Sequence, residues 1–156
     1  QKPTLKAIVV YGTMWHSTER MARAIGEGLA AAGVAAKCMS MDVFHRSDIA
    51  YEILDAGALI VGSSTLNNNM LPQIADVLTY LKGLRPANLL GASFGSFGWS
   101  GEAAVHIGDV LKEMKVEIIG APLKVQHAPT EDDLRRCHDL GEEMARQLRI
   151  KSKEVA

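Results

Sequence analysis

The sequence predicts an α/β domain, a doubly wound five-stranded parallel sheet in the order 2-1-3-4-5 with helices on both faces, three layers in all. Three observations lead there. Short apolar runs at 5–10, 58–62 and 89–94 are each bounded by turn residues and apolar on both faces, as strands inside a parallel sheet are. The stretches between them carry apolar residues at helical spacing. The 156 residues, 47% hydrophobic and 22% charged, suffice for one folded domain with a full core. That domain is expected over 1–150, with 151–156 a polar, frayed tail.

In order, strand one (5–10) breaks into the turn Tyr11-Gly12-Thr13-Met14-Trp15-His16-Ser17-Thr18. The helix after it places Ala22, Ile25, Leu29 and Ala32 on one face and stops at Gly33. Strand two is 34–41, an edge strand because it carries Lys37 and Ser40. A short helix at 47–54 leads to strand three, Ala58-Leu59-Ile60-Val61-Gly62. Pro72 suits the first turn of the next helix, whose core face is Ile74, Val77, Leu78 and Leu81. Strand four is 89–94. Ser100 is placed to cap the following helix, with Ile107, Val110, Leu111 and Met114 inward. Strand five, 118–125, is broken by Gly120 and Pro122. Thr130 and the acids Glu131, Asp132 and Asp133 start the last helix, and Leu134, Cys137, Gly141, Met144, Ala145 and Leu148 form its inner stripe.

A net charge of −1 suggests neither nucleic acid nor an anionic membrane as partner. No apolar run is long enough to span a membrane and no signal peptide is visible. The two cysteines, Cys38 and Cys137, lack metal-type spacing and are expected to be reduced, in a cytoplasmic protein. The chain opens with Gln1, as a processed chain or a domain cut from a longer one does.

Right-handed crossovers bring the loops after strands one, three and four to the same sheet edge, beside the switch point where ligands bind. The first loop is a place for an anion. A helix start offers unpaired N–H groups and a positive dipole end, and Thr13, Ser17 and Thr18 add hydroxyls, with no Lys or Arg in the loop. The bland reading, a capped helix start, does not need three hydroxyls and a Trp in eight residues. The second loop, 62–72, holds Asn67, Asn68 and Asn69 among apolar Leu66, Met70 and Leu71, a mixture able to cover a flat heterocycle and read its polar edge. The third, 93–101, combines Gly95, Gly98 and Gly101 with Trp99 as a stacking face. Both tryptophans of the chain fall at this edge, which argues for a ring-binding cleft.

These residues resemble a known family. Thr13-x-x-x-Ser17-Thr18 after strand one is similar to the phosphate loop of flavodoxins. The strings at 11–19, 67–72 and 93–101 look more like the flavodoxin-like domain of A-type flavoproteins, also called flavodiiron proteins. The resemblance implies a flavodoxin-like fold and non-covalent FMN. By match of motif, Thr13, Met14, Trp15, His16, Ser17 and Thr18 surround the phosphate, while Ser64, Thr65, Leu66, Asn67, Asn68 and Asn69 enclose the isoalloxazine with Ser93, Phe94, Gly95, Phe97, Gly98 and Trp99. It implies a rubredoxin- or reductase-like electron donor, a di-iron domain as acceptor, and a head-to-tail homodimer in the parent protein. In many flavodoxins the His16 slot is Gly.

The His/Glu/Asp di-iron domain of that family has no counterpart motif here. The five histidines, His16, His45, His106, His127 and His138, form no His-x-Glu-x-Asp-His cluster. The resemblance therefore implies an electron-transfer domain without the catalytic irons. Other ligand classes fit poorly. Gly-x-Gly-x-x-Gly and Gly-Lys-Ser/Thr are absent after strand one, and Ser63 and Ser64 stand where a phospho-receiver module has its acceptor Asp. A stand-alone flavodoxin-like carrier and a cofactor-free interaction domain of the same fold remain as alternatives. The ring loops, 63–71 and 93–101, contain no Asp or Glu, so the fully reduced anionic flavin is expected to form more easily than beside acidic loops.

Overall fold

The computed structural model describes residues 4–155; Gln1 and Ala156, at the sequence ends, lie outside the described residues. The elements run β1 (Lys6–Gly12), α1 (Ser17–Ala31), β2 (Ala35–Ser40), α2 (Arg46–Ile53), β3 (Ala58–Leu66), β4 (Asn69–Met70) and α3 (Pro72–Leu84). They continue with β5 (Leu90–Phe97), α4 (Glu102–Glu113), β6 (Glu117–Ile118), β7 (Leu123–Gln126) and α5 (Glu131–Val155).

The main path of the sheet is β2-β1-β3-β5-β6, with β7 also on β5. All of these pairings are parallel. The expected order is therefore observed, and the expected fifth strand is two short pieces, β6 and β7. Gly120, at φ 76°, and Pro122 lie between them, where a ladder cannot run through. One strand was not expected: β4 pairs antiparallel with β3, with Leu66 opposite Asn69 and Thr65 opposite Met70.

Side chains alternate across the sheet, so β1 feeds two cores. Ala7, Val9 and Tyr11 pack with α1 and α5, against Met21, Ile25, Leu29, Cys137, Met144 and Leu148. Ile8 and Val10 pack with α2, α3 and α4, against Ile49, Ile74, Leu78, Ile107 and Leu111. The helix faces expected from spacing are the faces buried. The α1–α5 crossing is tight because it is built on glycine. A Cβ at Gly28 would lie 2.1 Å from the His138 carbonyl oxygen, and one at Gly141 would lie 2.2 Å from that of Ile25.

Helix starts differ in how their N–H groups are satisfied. In α5 the Asp133 N–H donates to Thr130 Oγ1 at 3.1 Å, and the Thr130 N–H donates to Asp133 Oδ2 at 2.9 Å, a reciprocal capping box. In α2 the His45 N–H donates to Asp48 Oδ2 at 2.8 Å, and His45 Nδ1 accepts the Ser47 N–H at 3.1 Å. Ser100 does not cap α4, whose N-cap is Gly101. The polar residues expected as a frayed tail are the last turns of α5, with Lys151 Nζ 3.4 Å from Glu117 Oε2 on β6.

Candidate functional site

The loops after β1, β3 and β5 meet at one edge. Thr18, in the first turn of α1, is fully buried, and its Oγ1 lies 3.0 Å from Ser64 Oγ on β3 and 2.8 Å from Ser96 Oγ on β5. Ser64 and Ser96 are themselves 3.4 Å apart, closing a triangle of hydroxyls. The Met14 N–H donates to Ser64 Oγ at 3.3 Å, tying the first loop to the second strand of the group. Beside this triangle opens a cleft of about 490 Å³. Met14, Trp15 and Ser17 line it from the loop after β1 and the start of α1, Ser64 and Thr65 from β3, and Ser96, Phe97 and Gly98 from the end of β5. His127 and Ala128 close it from the loop after β7.

The first turn of α1 fits an anion. Its N-cap, His16, sits at φ 64°, and no side chain among the described residues caps the helix. The N–H donors that Thr130 and His45 satisfy elsewhere are thus left to a ligand here. Thr13 Oγ1 is enclosed and has no hydrogen-bond partner among the described residues. His16 Nδ1 lies 3.0 Å from Glu19 Oε2, and this contact is the main reason the Glu19 carboxyl is held below its ordinary range, with Arg23 adding to it. Burial, with Glu19 alongside, pushes the Tyr11 phenol up.

The second loop is a two-residue hairpin turn. Asn67 and Asn68 have φ 50° and 62°, positive at both central positions, which asparagine tolerates and which matches the twist of the flanking strands. Ser63 Oγ accepts the Leu71 N–H at 2.9 Å, holding the base of the loop.

The structure separates some residues the sequence grouped. Ser93, Phe94 and Gly95 are not loop residues: β5 continues to Phe97, paired by β3 on one side and β7 on the other. Phe94 is fully buried and lies over its neighbour Gly62, where a Cβ would come within 2.2 Å of the ring. Ser93 Oγ is enclosed near Gly108 of α4, without a hydrogen-bond partner among the described residues. Thr13 and His16 border a second recess of about 320 Å³ on the β2 side of the loop, with Tyr11, Cys38, Ser40 and Asp42. Leu66, Asn67, Asn68, Asn69 and Trp99 do not line the cleft. Trp15, which lines the cleft, and Trp99, which does not, are 82% and 97% exposed.

Sequence reasoning missed His127 and gave Ser96 no role of its own. Ser96 lies inside the 93–101 stretch but was not singled out. His127 lies at the same sheet edge, after the last strand, and topology alone could have found it. Its backbone is at φ 61°, and its N–H donates to the Phe97 carbonyl at 2.7 Å. Among the residues lining the cleft it is the one with a titratable side chain. The metal-competent group His138, Asp139 and Glu142 is on α5, and none of its members lines the cleft.

A parallel doubly wound sheet with an uncapped helix start and a ring-sized cleft at its switch point defines a nucleotide- or flavin-holding α/β domain. The flavodoxin family model matches residues 9–141. The chain belongs to the flavodoxin family. It is 45% identical over 151 residues to the rubredoxin-oxygen oxidoreductase of Megalodesulfovibrio gigas, covering 97% of this chain and 38% of that protein. It is 44% identical to a nitric oxide reductase of Moorella thermoacetica, covering 92% and 36% respectively. The solved rubredoxin oxygen:oxidoreductase of Desulfovibrio gigas superposes with a TM-score of 0.95, at 45% identity over 97% of this chain and 38% of that one. A flavodoxin from the domain Archaea superposes with a TM-score of 0.84, at 34% identity, over 92% of this chain and 99% of that one. The chain thus spans less than two fifths of the length of the curated relatives named here and nearly the whole length of a flavodoxin. It corresponds to the flavodoxin-like domain of A-type flavoproteins, and the family implies FMN as cofactor.

No helix among the described residues is long and apolar enough to cross a membrane.

Proposed function

We propose that this chain is the FMN-binding electron-transfer domain of a flavodiiron-type reductase. The observation that carries the reading is the meeting of Thr18, Ser64 and Ser96 beneath one cleft, with an uncapped helix start at one end. The residues 13–18 would hold the phosphate: N–H groups of the α1 start and the Ser17 hydroxyl donate, and Thr13 Oγ1 is an unused donor beside them. Thr65, Leu66 and the Asn67–Asn69 turn, with Phe97, Gly98 and Trp99, would enclose the ring, while Ser93, Phe94 and Gly95 support it from within β5.

Bound FMN supplies one- and two-electron redox chemistry, and the protein supplies position, water exclusion and access. This chain's polypeptide then needs no nucleophile or acid–base pair. The exposed indoles of Trp15 and Trp99 leave the ring edge open to a redox partner. The names of the relatives suggest the partners: a rubredoxin- or reductase-type donor, and as acceptor an oxygen- or nitric-oxide-reducing di-iron centre on another domain or a second chain. A head-to-tail homodimer of the parent protein would bring the two centres together. Cys38 and Cys137 are free, in keeping with the cytoplasm. The likeness to a complete flavodoxin favours one alternative, a stand-alone electron carrier. Copurification tests the proposal. A yellow chain releasing one FMN on heating, reducible by rubredoxin plus its reductase, supports it. A colourless chain that takes up no FMN refutes it.

A further inference from the structure

We propose that His106, on α4, is a positioning residue for the flavin: through Asn69 it holds the Asn67–Asn68 turn in the one conformation that meets the ring. This rests on the FMN site proposed above.

The turn needs an outside hold. Strand β4 is two residues long and pairs only with β3, off the main path of the sheet. An isolated hairpin of this size is marginal in water. Both of its central residues occupy the left-handed region, which L residues enter at a cost. Ser63 Oγ holds its base through the Leu71 N–H, and the ties nearer its tip come from α4 and its approach. Ser100 Oγ donates to Asn68 Oδ1 at 3.1 Å, and the Ala103 N–H donates to Thr65 Oγ1 at 3.3 Å. His106 Nδ1 lies 3.0 Å from Asn69 Oδ1.

The last bond has a fixed direction. Asn69 Oδ1 already accepts the Met70 N–H at 2.8 Å, which identifies it as the amide oxygen, and an amide oxygen only accepts. His106 Nδ1 therefore carries the proton and donates. It donates in the neutral Nδ1–H tautomer and in the imidazolium alike, so the tie does not depend on the ring's protonation. His106 itself does not line the cleft, so it acts through the turn.

The consequence concerns redox state. The ring gains electrons and a proton on reduction, so a backbone group held against it favours one state over another. A turn free to change conformation loses that discrimination.

The test uses His106→Leu, which cannot donate, and His106→Asn, whose amide nitrogen falls near the place of Nδ1. In the apo chain, amide exchange at Met70 is expected to quicken about tenfold or more in His106→Leu and to return within about threefold of wild type in His106→Asn. In the loaded chain, His106→Leu is expected to change the dissociation constant of one flavin redox state about tenfold relative to the other, about 59 mV in a one-electron couple. His106→Asn is expected to restore the potential. Wild-type exchange and potential in a folded His106→Leu overturn the proposal, as does a His106→Asn that behaves like His106→Leu. A wild-type chain that binds no FMN overturns the site reading instead, while the apo exchange result still decides whether His106 holds the turn.

Discussion

Thr18 Oγ1 lies 2.8 Å from Ser96 Oγ, a contact that joins the first helix to a strand 78 residues later. With Ser64 it makes a buried knot of hydroxyls under the proposed phosphate and ring. The knot ties the ends of two neighbouring strands, β3 and β5, to the helix that follows β1.

The neighbouring hydroxyls give the sharpest ligand prediction. The double variant Ser17→Ala, Thr18→Ala removes one cleft hydroxyl and one knot member. Hydrogen bonds to a charged group contribute about 1.5–3 kcal/mol each, so FMN affinity is expected to fall at least about tenfold. Riboflavin, which lacks the phosphate, is the control. Its affinity is expected to change less, and titrations followed by flavin fluorescence separate the two. Equal losses for both ligands count against a phosphate at this helix start.

Trp99 is 97% exposed, so its removal costs the free chain almost nothing. Trp99→Ala is expected to leave apo stability within about 0.5 kcal/mol. Stacking is worth about 0.5–1.5 kcal/mol, so FMN is expected to bind roughly two- to tenfold more weakly. Thermal melts of the apo chain and flavin titrations of both variants check the two halves. An unchanged dissociation constant removes Trp99 from the ring site.

Gly141 faces the backbone of α1 with no room to spare. Gly141→Ala puts a Cβ 2.2 Å from the Ile25 carbonyl oxygen unless the helices part. Overpacking of this kind costs about 1–3 kcal/mol, read by urea unfolding. The clash-free control is Gly83→Ala on α3, where a Cβ meets nothing within 4 Å and stability is expected to stay level or rise by up to about 1 kcal/mol.

Glu52 accepts from Lys6 Nζ at 2.7 Å and from Lys37 Nζ at 2.8 Å, bridging β1, β2 and α2. These bonds, that from Lys37 first, hold its carboxyl down at about 2. A carboxylate depressed in the folded state stabilises above its unfolded value, near 4.3, and loses that contribution as pH falls toward the folded value. Asp133 and Glu19, also depressed, act in the same direction. Melting temperature is therefore expected to drop between about pH 5 and pH 2. Glu52→Gln is expected to make that drop shallower.

Much of this was legible in the chain. The apolar runs 58–62 and 89–94, and the stripe from Leu134 to Leu148, determine their elements through local pattern alone, and the parallel order follows from alternation. The extent of β5 was not legible. A run of Ser, Phe and Gly reads as a loop, and only pairing with Ser63 and Ser64 on one side and with 123–126 on the other makes it a strand. Ser96 was passed over for the same reason: its role comes from partners 78 and 32 residues away. The hairpin at Asn67–Asn68 carried a visible turn signal, but its antiparallel return through Asn69 and Met70 was hidden by its length. The polar end of α5 looked frayed because nothing in its sequence shows Glu117 waiting for Lys151.

A map of amide chemical-shift changes on titrating the apo chain with FMN bears on the central claim most directly. The largest changes are expected at residues 13–18, 64–69 and 96–99, saturating at one FMN per chain. Changes concentrated elsewhere, on the outer face of α5 for example, or no saturable change at all, would contradict it.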